Sequence, residues 1–482
     1  MESFDLVVIG SGPGGQRCAV QAAKLGKRVA LIERRHEMGG VCINTGTIPS
    51  KTMKEAVLDL SGHRQRRLYG EEFAPRRRPT AAELLARVNE VSKSERDIIH
   101  QQLKRNGITL FDGNGRFAAP HTVQVVDRDE VTTLQAANVA IAVGTVPGLP
   151  SGIEVDHRVV LTSDDLLRIE KLPRQMMVVG AGIIGLEYGS MLSALGVEVT
   201  LLDMRTQLLE MVDREIVDAF SYHAREMGLT FRLGEQVESI RTTPDGQALV
   251  TMKSGKRTVA ECVLVSAGRQ GATDGLQLEK AGLEADARGR ITVNEHFQTR
   301  MPHIYAVGDV VGFPSLASTS AEQGRHAACH MFGVEARHMP TLYPFGIYAI
   351  PEISWVGKTE AELTQAGVPY ETGVARYKEI ARGHILGDPN GMLKLIFHID
   401  SKKILGVWCM GTQATELVHI GQAVMALEGS LDYFIANVFN YPTLAECYKV
   451  AALDGFNKIR ALGAAAQSGW DEDDDEELRK AA

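Results

Sequence analysis

The chain has 482 residues, 44% of them hydrophobic, which is too much for one core and implies roughly two to four domains. Its net charge of −8 makes the surface a poor electrostatic match for nucleic acid, and no apolar run approaches the ~18 residues a membrane helix needs. No charged leader and cleavable apolar segment precede the first strand, so a soluble, cytoplasmic protein is expected. The six cysteines (18, 42, 262, 329, 409 and 447) form no CxxC pair, which argues against zinc or any other metal and against a disulfide framework.

The first elements read strand, glycine turn, helix. An apolar run ends at Ile9, Gly10, Gly12 and Gly15 follow, and a helical stretch ends near Gly26. A second strand, "RVALIE", closes at Glu33. Next comes "GGVCINTGTIPSKT", Gly39 to Thr52, with Cys42 and, five positions on, Thr47. The basic segment 64–79 reads as a solvated loop. Residues 103–150 are rich in β-branched and turn residues and end in "NVAIAVGTVPGLP". The opening pattern then repeats, with Gly180, Gly182 and Gly185 and a second strand ending at Asp203. Gly10 to Glu33 is 23 positions, and so is Gly180 to Asp203. Strands over 237–269 close at "CVLVSAGR", and "IYAVGDV" supplies a further strand, a glycine turn and Asp309. From about Tyr343 a separate α+β domain is expected, with strands at "HILGD", "MLKLIFH" and "ILGVWCMG" and a helix at "ATELVHIGQAVMALEG". Residues 466–482 form an acidic tail that is expected to be disordered, all of 471–477 being Asp or Glu.

A lone GxGxxG is weak evidence. Two copies, each between strand and helix and each followed by an acid at the same distance, point to two dinucleotide sites. The first glycine makes the turn, the second admits a pyrophosphate, and the third lets helix and strand pack closely. The helix N-terminus offers free N–H groups and a positive dipole end to the phosphates. Glu33 and Asp203 are placed to accept from a ribose diol. Arg205 stands where it can pair with a 2′-phosphate, so NAD and NADP both remain open. One site should hold a resident redox cofactor, for which FAD is the usual choice, and the other an exchangeable nucleotide.

"GGVCINTGTIPSK", "AVGTVPGLP", "GAGIIGLEYG", "VSAGR", "IYAVGDV" and "NYPTLAE" together resemble the flavoprotein disulfide reductases, the pyridine nucleotide-disulfide oxidoreductases, from about Asp5 to Leu462. The resemblance implies an α/β fold with two Rossmann-like dinucleotide-binding domains and a C-terminal α+β dimerisation domain. It places FAD on residues 1–148 and 277–342, NAD(P) on 149–276, and the homodimer or higher homo-oligomer contact on 343–465. Gly10, Gly12, Gly15, Glu33, Gly144 and Asp309 then correspond to FAD contacts, and Gly180, Gly182, Gly185, Asp203, Arg205 and Gly268 to the nicotinamide nucleotide site. Lys51 corresponds to a lysine beside flavin N5, and Glu187 to the glutamate that pairs with it. A surface lysine and a solvated helix glutamate are the plain alternatives, which the apolar setting of "GIIGLEYG" disfavours.

The family's thiol chemistry needs two cysteines, and the pair here is Cys42 and Thr47. A threonine hydroxyl forms no disulfide. The histidine that precedes Pro-Thr in disulfide-reducing members is Tyr441 here, a poor proton acceptor near neutral pH, although Glu446 remains. The candidate catalytic positions are therefore Lys51, Glu187, Cys42 and Thr47. They are expected to serve a hydride acceptor other than a disulfide. The motifs are similar to those of the soluble transhydrogenase branch, which implies ping-pong hydride transfer between NADPH/NADP⁺ and NAD⁺/NADH through one tightly bound FAD per subunit. That branch tends to have an uncharged residue where this chain has Asp203. A diaphorase or quinone reductase, a single-cysteine thiol enzyme and a non-catalytic scaffold subunit are the alternatives.

Overall fold

The computed structural model describes residues 2–70, 72, 77–335 and 339–467, with side chains described to residue 461. The acidic run 471–477 lies outside the described residues, as does part of the basic segment 64–79.

The chain divides into two compact units, the first built from residues 1–61, 76–206 and 231–341. Its main sheet contains β1 (Glu2–Ile9), β2 (Val29–Glu33), β3 (Thr109–Asp112), β4 (Asn114–Ala119), β5 (Thr122–Asp127) and β6 (Glu130–Ile141), in the order β3-β2-β1-β6-β5-β4. The strands β1, β2, β3 and β6 run parallel, with Leu6 opposite Val29 on one side and Asn138 on the other. Alternate residues of the parallel strands feed different cores. Val7, Ile9, Ala30, Ile32, Val139 and Ile141 face one, and Leu6, Val8, Val29, Leu31 and Ala140 face the other. A sheet buried on both faces explains why these strands read as continuous apolar runs rather than as alternating ones.

The helix α1 (Pro13–Lys24) covers one face together with α2 (Gly40–Asn44), α3 (Thr47–Leu60) and α4 (Ala81–Arg105), and α1 packs closely on a later helix, Ala317–Met331. Small residues permit that approach: a β-carbon at Gly324 would lie 2.1 Å from the Gly14 carbonyl oxygen.

The repeat forms a second, five-stranded sheet. It holds β7 (Gln175–Val179), β8 (Glu198–Asp203) and β9 (Cys262–Val265), with β8 and β9 parallel to β7 on either side. The helix α5 (Ile183–Ala194) connects β7 to β8 and is buried along almost its whole length. Back in the first sheet, β10 (Ile304–Ala306) pairs parallel with β6, and α6 is the helix Ala317–Met331.

The second unit comprises residues 62–75, 207–230 and 342–482. Residues 207–230, expected within the NAD(P) domain, thus pack in this unit. Five antiparallel strands lie in the order Phe345–Ile347, Ile353–Gly357, Ile404–Met410, Met392–His398, Tyr370–Arg376. Trp408, Tyr377, Phe397, Phe434 and Tyr448 are fully buried there. Lys394 is buried as well, with its ammonium 2.8 Å from Asp213, 3.1 Å from Glu215 and bonded to Glu360. Those three acids are thereby gathered around a cation supplied by the chain itself.

Two expectations need correction. "HILGD" is not a strand: Ala381–Leu386 is a short helix, closed by Gly387 in the left-handed region at φ 62°. A short apolar run carries too little period to separate helix from strand. Nor is 64–79 simply a solvated loop. His63–Tyr69 is helical, Arg67 bonds Asp388 at 2.8 Å, and Arg78 donates to the Leu195 and Gly196 carbonyls at the end of α5.

Candidate functional site

The three glycines of each turn do three separate jobs, and the two turns match. A β-carbon at Gly10 would lie 2.3 Å from the Ala142 carbonyl oxygen, and one at Gly180 2.5 Å from that of Ser266. Both residues have positive φ, 107° and 104°, which suits glycine. A β-carbon at Gly15 would sit 2.0 Å from the Gly10 oxygen, and one at Gly185 2.0 Å from the Gly180 oxygen. At Gly12 and Gly182 a β-carbon meets nothing within 4 Å. The middle glycines therefore face open space, where a ligand's phosphates can approach the backbone.

The two acids share a second pattern. Glu33 accepts from the Ser11 amide at 3.1 Å and the Arg35 amide at 3.0 Å. Asp203 accepts from the Ala181 amide at 2.7 Å and the Arg205 amide at 2.8 Å. Each carboxylate thus ties its strand end to its glycine turn. The sites differ in their other partners. The Ser11 hydroxyl donates to Glu33, whereas the Arg205 guanidinium forks onto Asp203, with Nε at 3.0 Å and the terminal nitrogen at 2.7 Å. Burial disfavours the Asp203 carboxylate, but the Arg205 and Ala181 bonds outweigh it and hold its pKa below the usual carboxylate range.

The first turn opens into a cavity of about 270 Å³. Gly10, Gly12, Glu33, Cys42, Thr47, Gly144 and Asp309 line it, so seven of the expected positions converge there. Gly144 is left-handed at φ 65°. Gly15 is absent from the lining because it serves packing. Gly268 is absent too: its φ of 108° turns the chain into the strand Arg269–Gly271, which pairs with Thr145–Pro147. Asp309 is partly buried, which pushes its carboxyl up against the pull of Arg269. Arg269 in turn donates to Thr145, Nε to the hydroxyl at 2.7 Å. Ser11, Thr145 and Arg269 are not among the expected site residues, although Ser11 lies between Gly10 and Gly12, Thr145 in "NVAIAVGTVPGLP" and Arg269 at the end of "CVLVSAGR".

Lys51 projects from α3 and Glu187 from α5. The ammonium lies 3.0 and 2.9 Å from the two carboxylate oxygens, and Glu187 is only 3% exposed. Glu187 is thus not a solvated helix residue, and Lys51 is partly buried, 26% exposed, in its ion pair with Glu187. Cys42 is a free thiol, as are the other five cysteines, which are all buried. Burial pushes the Cys42 thiol up, partly offset by a hydrogen bond with Thr47. In the second unit Tyr441 is 69% exposed and follows the pattern of a surface residue.

The model for pyridine nucleotide-disulphide oxidoreductases matches residues 4–324, and that family's dimerisation domain matches 343–452. The chain belongs to this family. Among its relatives is a soluble pyridine nucleotide transhydrogenase of Mycobacterium bovis, 54% identical over 96% of this chain and 99% of that protein. A second, from Chromohalobacter salexigens, is 45% identical over 95% and 99%. Among solved structures, the HOCl-induced flavoprotein disulfide reductase RclA from Escherichia coli superposes with a TM-score of 0.85 at 26% identity, covering 93% of this chain and 99% of that one. The fold class is the expected one, α/β with a dimerisation domain. No helix among the described residues is long and apolar enough to cross a membrane.

Proposed function

We propose that this oxidoreductase is an FAD-dependent transhydrogenase that moves a hydride between NADPH/NADP⁺ and NAD⁺/NADH in alternating turns. The observation that carries the reading is the pairing of the free Cys42 with Thr47 beside an otherwise complete nucleotide apparatus. The names of the relatives support it. FAD, tightly held at one per subunit, supplies a two-electron carrier that accepts and returns hydride.

The fit to FAD rests on the open space at Gly12 and on the cavity that runs from Glu33 to Asp309. The N–H groups opening α1 face the pyrophosphate, and Glu33 takes a ribose hydroxyl beside its bonds to Ser11 and Arg35. Lys51 brings a positive charge, and Glu187 holds its ammonium with both oxygens of its carboxylate. Cys42 stays protonated at neutral pH and packs beside the cofactor. Thr47 donates or accepts one hydrogen bond and carries no electrons.

Gly182 and the start of α5 take the nicotinamide nucleotide's pyrophosphate. Asp203 takes a free 2′-hydroxyl, and Arg205 leaves Asp203 to meet a 2′-phosphate. The chain works as a homodimer through residues 343–465, in the cytoplasm, with residues 1–148 and 277–342 holding FAD and 149–276 NAD(P). Incubating the purified flavoprotein with NADPH and thio-NAD⁺ tests the reading. Thio-NADH should accumulate without any disulfide present. Rapid quinone reduction with no thio-NADH would transfer the assignment to a diaphorase.

A further inference from the structure

Each glycine turn is answered by the same pair, an acid at the strand end and an arginine two positions on: Glu33 with Arg35, Asp203 with Arg205. In both pairs the arginine amide donates to the carboxylate. The guanidinium groups behave differently. That of Arg205 forks onto its own acid. That of Arg35 is paired not with Glu33 but with Asp164, whose Oδ2 lies 3.5 Å away.

The difference decides what each acid has left to offer. A carboxylate has about four acceptor positions. Asp203 fills them: Oδ1 takes the Arg205 amide and Nε, and Oδ2 takes the Ala181 amide and the Arg205 terminal nitrogen. On Glu33, Oε2 takes the Ser11 amide and hydroxyl, but Oε1 takes only the Arg35 amide. One acceptor position on Glu33 Oε1 is therefore open, and both Glu33 and Arg35 line the cavity.

Asp164 stands at the N-cap of the short helix Asp165–Arg168, yet its side chain makes no capping bond. One carboxylate oxygen faces Arg35, and the other is buried with no hydrogen-bond partner among the described residues. Its charge also reaches Arg269. Burial pulls the Arg269 pKa down, Asp164 and Asp309 oppose that pull, and the like charge of Arg35 adds to it. The carboxylate thus serves the arginines beside the cavity rather than its own helix.

We propose that Asp164 is a positioning residue for the resident cofactor: it draws the Arg35 guanidinium away from Glu33 and so keeps Oε1 open for a ribose hydroxyl. The inference rests on the assignment of FAD to the first glycine turn. Without Asp164, Arg35 turns onto Glu33 as Arg205 turns onto Asp203, and the hydroxyl must compete with a guanidinium for the same oxygen.

Equilibrium release of FAD from the diluted holoenzymes, read as the rise of flavin fluorescence, tests the proposal. The variants are Asp164→Asn and Asp164→Asn/Arg35→Ala, and melting curves of each report folding. Asp164→Asn should weaken FAD binding roughly three- to tenfold, the worth of one hydrogen bond. The double variant should recover the wild-type affinity, a rescue that a merely structural role of Asp164 would not give. Wild-type affinity in a folded Asp164→Asn protein, or an equal loss in the double variant, would overturn the role of Asp164 while leaving FAD in place. A wild-type protein that carries no FAD would instead overturn the assignment on which the inference rests, and the inference with it.

Discussion

Gly182→Ala separates what the nucleotide needs from what the fold needs. Gly182 has φ −78° and ψ −173°, an extended conformation open to any L-residue, and an added β-carbon meets nothing within 4 Å. Alanine therefore strains nothing in the protein. By narrowing the unfolded ensemble it should stabilise the fold by about 0.4–1 kcal/mol. A bound pyrophosphate would meet the new methyl group directly. Crowding of that kind costs about 1–3 kcal/mol, which is roughly a five- to 150-fold rise in KM for both nicotinamide nucleotides. Gly185→Ala makes the control. Its β-carbon would lie 2.0 Å from a backbone oxygen that cannot yield, so that variant should lose stability itself. Thermal melting and steady-state kinetics on both variants decide the matter. An unchanged KM in a folded Gly182→Ala protein would show that the second glycine turn binds no pyrophosphate.

Arg205→Ala should weaken NADP(H) more than NAD(H), by about 1.5–3 kcal/mol in kcat/KM, through loss of a charge-assisted hydrogen bond. Equal effects on the two nucleotides would move selectivity elsewhere. Lys51→Met takes the ammonium away from the buried Glu187 carboxylate, a loss that costs at most about 3–5 kcal/mol for a fully buried pair and less here because the Lys51 side chain is 26% exposed. Glu187→Gln should cost less, because it removes the buried charge, and melting curves of the two variants show the order. The raised pKa of Cys42 means that less thiolate is present at pH 7 than for an ordinary cysteine. Its alkylation by iodoacetamide should therefore be slow at pH 7 and still rising above about pH 8.5. A rate already at its plateau by pH 7 would reveal an activated thiol.

What the sequence disclosed follows from how local each signal is. The glycine turns and their acids repeat within 23 positions, so their spacing alone located both turns, and the structure returns the same bonds in each. Lys51 and Glu187 are 136 positions apart, and only the family resemblance joined them. The fork of Arg205 onto Asp203 was within reach of the sequence, but the choice between that acid and a 2′-phosphate depends on side-chain rotamers. The helix at Ala381–Leu386 was missed because six residues hold less than two helical turns of pattern. The assignment of residues 207–230 to the second unit depends on long-range packing that no window along the chain can register.

The central claim is that hydride passes between nucleotides without a thiol pair. Anaerobic titration of the flavoprotein with NADH, followed by flavin absorbance, addresses it most directly. The account predicts uptake of a single hydride equivalent per flavin, with no long-wavelength thiolate-to-flavin charge-transfer band, because Thr47 supplies no thiolate. Uptake of a second equivalent, with that band appearing on the way, would contradict it.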